Sequence, residues 1–214
     1  MEHPYSDIAF QQAAADLCRY GKIMYDRNWS PATSSNYSIR LNDACCALTS
    51  SGKHKGELSA ADILVVDWQG QPLSAGKPSA ETGLHTQLYR RDTNIGAVLH
   101  THSPSAVLLS QIWPSNLLIL QGWELQKALT GESTHLNAVR IPIFDNTQDI
   151  EQLASDVEQH MQQHGQGHAY LIRGHGIYTW GSDIHTCFRH LEALDHLLQY
   201  ELQRRQLGLA TTTE

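Results

Sequence analysis

The chain has 214 residues, 41% hydrophobic and 17% charged, with 15 basic against 22 acidic side chains and a net charge of −7. That length and composition suit one domain with a sizeable core and exclude a disordered or fibrous chain. The acidic balance, with no basic cluster larger than Arg90 and Arg91 or Arg204 and Arg205, argues against a nucleic-acid partner, whose binding rests on neutralised phosphates.

In chain order, Ile8, Leu17, Tyr20 and Met24 recur at helical spacing and predict a helix over 5–27. A loop rich in Ser, Asn, Pro and Thr follows over 28–36, then short strand runs at 37–41 and 45–49. Ser59 and Asp62 form a capping-box pattern ahead of an apolar strand at 63–67. A helix is expected over 79–92, with Leu84 and Leu88 one turn apart, and a buried strand at 95–100. Ser103 and Pro104 start a helix, with Ser as cap and Pro in the first turn. Strands at 117–120 and 139–143 precede a helix capped by Thr147 and running to His164. Runs at 169–173 and 177–180 read as strands broken by Gly174-His175-Gly176. Ser182 is expected to cap a last helix whose Ile184, Phe188, Leu191, Leu194, Leu198 and Leu202 face the core. Strands and helices interleave through short links, which predicts one α/β domain over 1–214, with its core at about 5–207 and a frayed tail at 210–214.

The longest apolar runs, at 63–66, 106–109 and 117–120, fall far short of the ~20 residues that cross a bilayer, so no membrane-spanning helix is expected. The first residues do not read as a secretory signal, and the four cysteines lack CxxC spacing. Free thiols and a cytoplasmic location are therefore expected.

Thirteen histidines against four cysteines imply that any transition metal here is held by imidazole. His100-Thr101-His102 ends a strand run, and residues two apart in a strand share a face, so both rings can reach one ion. Two polar histidines at a strand end read equally well, and the metal reading needs a third ligand. His175, between two glycines at a chain reversal, supplies a candidate, although a plain turn histidine fits the same pattern. Three histidines with a fourth position open are the pattern of catalytic zinc. Thr33-Ser34-Ser35-Asn36 and Thr49-Ser50-Ser51-Gly52-Lys53 set hydroxyls, a glycine and a lysine beside strands, and Ser79 precedes a helix. Each suits an anion, or is merely a polar loop. Glu81 sits at an expected helix start, where carboxylates usually serve the dipole, and Glu124 in the segment Gln121-Gly122-Trp123-Glu124; acid/base work by either requires a metal site close by.

Together, PATSSN, SSGKHKG, KPSAETGLH, HTHS, QGWELQKALTG and RGHGIYTWG resemble, in this order, the class II aldolase and adducin-head family, from about residue 18 to 207. The resemblance implies a central, mainly antiparallel sheet flanked by helices on both sides. It implies one Zn2+ per subunit on His100, His102 and His175, a sugar-phosphate substrate, and a homo-oligomer, commonly a tetramer, with active sites near subunit boundaries. The last two segments point to the dehydratase members. There Glu124 matches the acidic catalyst, and Glu81 the acid/base of the aldolases. The phosphate site maps onto Ser35, Asn36, Ser51, Gly52 and Ser79; Ser35 stands where the family commonly has Gly, and Ala80 where it has Ser. Apart from the resemblance, Lys53 and Lys55 are candidates for added charge at the phosphate. Trp123 or Trp180 is expected to wall the substrate's apolar end. An aldolase or epimerase on another sugar phosphate, or a non-catalytic binding module, shares most of these features.

Overall fold

The computed structural model describes residues 4–209, and the expected tail at 210–214 lies outside them. Five helices run α1 Asp7–Asp26, α2 Thr82–Arg91, α3 Pro104–Ile112, α4 Ile150–His164 and α5 Ile184–Gln206. Eight strands run β1 Asn36–Arg40, β2 Cys45–Thr49, β3 Ile63–Asp67, β4 Ala97–Thr101, β5 Leu117–Leu120, β6 Val139–Phe144, β7 Ala169–Ile172 and β8 Gly176–Gly181. They form one sheet in the order β3-β2-β1-β4-β8-β7-β6-β5. Every pairing is antiparallel except β6 with β7.

Alternation along the strands builds two cores. Ala97 and Leu99 of β4, with Ile177 of β8, pack with α1, α3 and α5. Val98, Tyr178 and Trp180 point the other way and pack with α2 and α4. The sheet is thus covered on both faces, as the resemblance implied. The α5 face is core, with Ile184, Leu191, Leu194 and Leu198 buried. The four cysteines are free, and no helix among the described residues is long and apolar enough to cross a membrane.

Three local expectations are corrected. Asp149, not Thr147, caps α4, its carboxylate accepting from Gln152 N, while Thr147 Oγ1 accepts from Asp149 N. Asp183, not Ser182, caps α5 by accepting from Thr186 N. A carboxylate at these positions both fills an orphan N–H and favours the helix dipole. The helix expected from Ser79 begins at Thr82, so Ser79 and Glu81 precede its first turn and their side chains serve other partners.

Gly176 opens β8 close against the end of β4. A Cβ there would lie 2.1 Å from the Thr101 carbonyl oxygen and 3.2 Å from the His100 ring. Gly176→Ala is therefore expected to force β4 and β8 apart and to cost roughly 1–3 kcal/mol, the range for overpacking. Urea denaturation checks this; an unchanged midpoint would show that the strands separate freely.

Candidate metal centre and substrate cleft

Register assembles the site. Across adjacent strands Asn36 faces His100, His100 faces Tyr178, and Tyr178 faces Tyr170. The His100 ring stacks on Tyr178 at 4.1 Å between centroids, and Tyr178 stacks on Tyr170 at 4.9 Å. His102, just past β4, is pinned by its backbone N–H to the Trp29 carbonyl. His175 sits in the β7–β8 turn, where Gly174 takes a left-handed φ of 63°. His100 Nε2 lies 2.9 Å from His102 Nε2 and 3.2 Å from His175 Nε2.

The other ring nitrogens fix the tautomers. His100 Nδ1–H donates to the Ile177 carbonyl at 3.0 Å, and His175 Nδ1–H to Asn146 Oδ1 at 3.3 Å. The His100 Nε2 atom is then a bare lone pair facing the other two rings. Burial holds His100 well below its ordinary pKa and His102 down to about 4, so protons do not fill that gap near neutrality. Convergent imidazole nitrogens, all within 4.8 Å, are a donor set for one divalent metal ion.

Glu81 closes the group from above. Its Oε1 is 2.9 Å from His175 Nε2, and its Oε2 is 3.4 Å from His100 Nε2. Asn36 Nδ2 and Tyr178 Oη donate to Oε2 at 2.7 and 3.0 Å. Burial pushes the Glu81 carboxyl up, but the polar groups around it, the Asn36 amide among them, outweigh burial and hold it below the usual carboxylate range. Burial, reinforced by Glu81, drives the Tyr178 phenol well above its usual value, so it remains a donor. Beneath, His85 Nε2–H donates to Asn36 Oδ1, Ser38 Oγ donates to His85 Nδ1, and Tyr89 Oη donates to Ser38 Oγ. This relay sets which end of the Asn36 amide faces Glu81.

A cleft of about 310 Å3 opens beside the histidines, lined by Ser35, Asn36, Ser51, Gly52, Lys55 and Ser79 and also by Gln148 and Ile150. All five expected phosphate residues therefore share one cleft with Glu81, His102 and His175. Ser35 has a left-handed φ of 71°, a conformation that favours glycine. Lys53 turns away and pairs with Asp62 at 2.8 Å.

Glu124 is not brought to its own chain's cleft. It opens a 3-10 turn, Glu124–Ala128, with its side chain 71% exposed and paired with Lys127 at 2.5 Å. The ends of this segment are tied to α5: Trp123 Nε1 donates to the buried Glu201 at 2.8 Å, and Thr130 N to His190 Nε2 at 3.0 Å. Neither tryptophan borders the cleft; Trp180 is core, and Trp123 packs against Tyr200. Sequence reasoning missed Tyr178 and His85. A run such as Ile177–Trp180 signals only a strand, and His85 is recognisable only once β1 is seen beneath α2.

Residues 15–202 match the model of the class II aldolase and adducin N-terminal domain. The chain belongs to that family. It is 55% identical to the methylthioribulose-1-phosphate dehydratase of Alcanivorax borkumensis over 206 residues, 96% of this chain and 98% of that protein. It is 50% identical to the protein of that name from Pseudomonas fluorescens, over 92% of this chain and 95% of the relative. Among solved structures, the L-fuculose-1-phosphate aldolase of Thermus thermophilus superposes with a TM-score of 0.75 at 24% identity, covering 94% of this chain and all (100%) of that one. YgbL of Klebsiella pneumoniae, a putative aldolase/epimerase/decarboxylase, superposes with a TM-score of 0.79 at 21% identity, covering 91% and 90%. These two likenesses concern the fold.

The buried relay carries a pH signature. Burial holds His85 at a pKa of about 4 against its ordinary 6.5. Between those values the unfolded chain takes up a proton that the folded chain refuses, so stability is present above 6.5 and falls as pH drops toward 4, by ~3 kcal/mol in full. His102 adds a loss of the same sign. Urea midpoints of the metal-free protein should fall from pH 7 to pH 5, and His85→Gln should fall less. Equal falls would remove His85 from the account.

Proposed function

We propose that the chain is a zinc-dependent hydro-lyase that converts 5-methylthioribulose 1-phosphate to 5-methylthio-2,3-dioxopentyl phosphate and water in methionine salvage. The observation that carries this reading is the 55% identity to a dehydratase of that substrate over 96% of the chain. We further take the chain as one domain, acting in the cytoplasm as a homotetramer.

The substrate's C3 proton is acidic only because a ketone lies at C2. Its removal delivers an electron pair that expels the C4 hydroxyl, which leaves as water after gaining a proton; ketonisation of the resulting enol completes the reaction. His100, His102 and His175 would hold the ion. Zinc, when bound, supplies Lewis-acid stabilisation of charge developing on the ketose oxygens. In this reading Ser35, Asn36, Ser51, Gly52 and Ser79 receive the phosphate and fix the distance from it to the reacting carbons. Glu81, ionised and held by Asn36 and Tyr178, is an acceptor at a fixed place beside the histidines. Glu124 is the main proton shuttle. Since its carboxylate does not border its own chain's cleft, it serves the cleft of a neighbouring copy.

Purified protein given the ketose phosphate is expected to release the diketone phosphate. Aldehyde release instead would establish the aldolase alternative. Chelation should abolish turnover and zinc should restore it, with about one ion per chain by elemental analysis, as three converging imidazoles require. A protein that binds no stoichiometric metal would instead be the non-catalytic module. Glu124→Gln should abolish turnover with near-normal metal content; surviving activity removes Glu124 from its role.

A further inference from the structure

Two lysines follow Gly52, and the fold gives them opposite fates. Lys53 is half exposed and its charge is matched by Asp62. Lys55 is 1% exposed and borders the cleft with Ser35, Ser51, Gly52 and Ser79. It opens the 3-10 turn Lys55–Glu57, which α1 grips closely: a Cβ on Gly21 would lie 2.8 Å from the Lys55 carbonyl oxygen. The backbone beneath the side chain is thus fixed.

The ammonium donates to the carbonyls of Lys53 at 2.7 Å and Thr33 at 3.3 Å. An ammonium carries three donors, so one is left over. Among the described residues no carboxylate lies within ion-pair distance of it. Glu81, the carboxylate that borders the same cleft, is held by Asn36, Tyr178 and the histidines. Burial without a counter-charge pushes the Lys55 amine down to about 8. A buried cation with polar but uncharged neighbours lacks a compensating anion within the chain. Ser35, Ser51, Gly52 and Ser79, which line the same cleft, provide neutral hydrogen-bonding groups and no charge.

We infer that Lys55 is the counter-charge for the substrate's phosphate and the residue by which the cleft selects a phosphorylated ketose over the free sugar. This rests on the proposed function, because it takes the bound ligand to be a phosphate ester. Lysine acts on phosphate as a point charge, so the neutral groups of the cleft would set the geometry while Lys55 supplies the attraction.

The test compares wild type with Lys55→Gln, which keeps donors for the two carbonyls but no charge, and Lys55→Met, which keeps only the shape. Calorimetry with inorganic phosphate as the probe is expected to show roughly tenfold or greater loss of affinity in both, the scale of a hydrogen bond to a charged group. KM for the ketose phosphate should rise by a similar factor with metal content unchanged, while turnover of the unphosphorylated ketose should not fall. Lys55→Met should melt no lower than wild type, since it removes a buried unmatched charge. Phosphate affinity and KM within about twofold of wild type, with a lowered melting temperature, would show that Lys55 merely ties two loops and would overturn the inference. Should neither variant fold, protection of Lys55 from amine acylation by saturating phosphate in wild type, read by mass spectrometry, decides: protection supports the inference and its absence overturns it. If wild type turns over no phosphorylated ketose yet phosphate binding still depends on Lys55, the proposed function fails while the anion site stands.

Discussion

The site depends on strand register. Asn36, His100 and Tyr178 occupy matching positions on β1, β4 and β8, so the pleat turns all three toward α2. A slip of one residue in any of these strands would send its side chain into the opposite core, among α1, α3 and α5. Buried apolar residues around them enforce the register: Leu99 and Ile177 below the sheet, and the cross-strand pair Val98 and Trp180 above it. The same apolar alternation that stabilises the fold therefore aligns the imidazole, the amide and the phenol.

On that row the polar groups are held by one another. Tyr89, Ser38, His85, Asn36 and Glu81 form a continuous chain of donors and acceptors, and each tautomer or amide orientation follows from the next. Buried polar groups are costly when unpaired, and a satisfied network admits few alternative arrangements. Glu81 is thereby fixed beside the histidine nitrogens before any ligand arrives.

Much of this was legible in the sequence. His100 and His102 were readable because two residues at strand spacing share a face, and His175 because glycines flank it at a reversal. The hydroxyl loops around Ser35, Ser51 and Ser79 stood out in the sequence by composition, and the structure gathers them into one cleft. Other features depend on contacts far apart in the chain. Tyr178 is indistinguishable in sequence from any strand aromatic. The choice between Lys53 and Lys55 turns on Asp62 and on the packing of α1 against the turn. Glu124 carried a motif but no spatial information, and its segment is placed by Glu201 and His190 on α5, about seventy residues later in the chain.

The one parallel pairing, β6 beside β7, has a further effect. Because the two strands run in the same direction, both end at the edge where the chain turns into His175, and the Arg173 N–H reaches the Phe144 carbonyl. The crossover through α4 therefore begins beside the cleft and delivers Asn146 to the His175 ring and Gln148 and Ile150 to the cleft lining. A wholly antiparallel meander would have sent that connection to the opposite rim, leaving the third imidazole without its orienting amide and the cleft without that part of its lining.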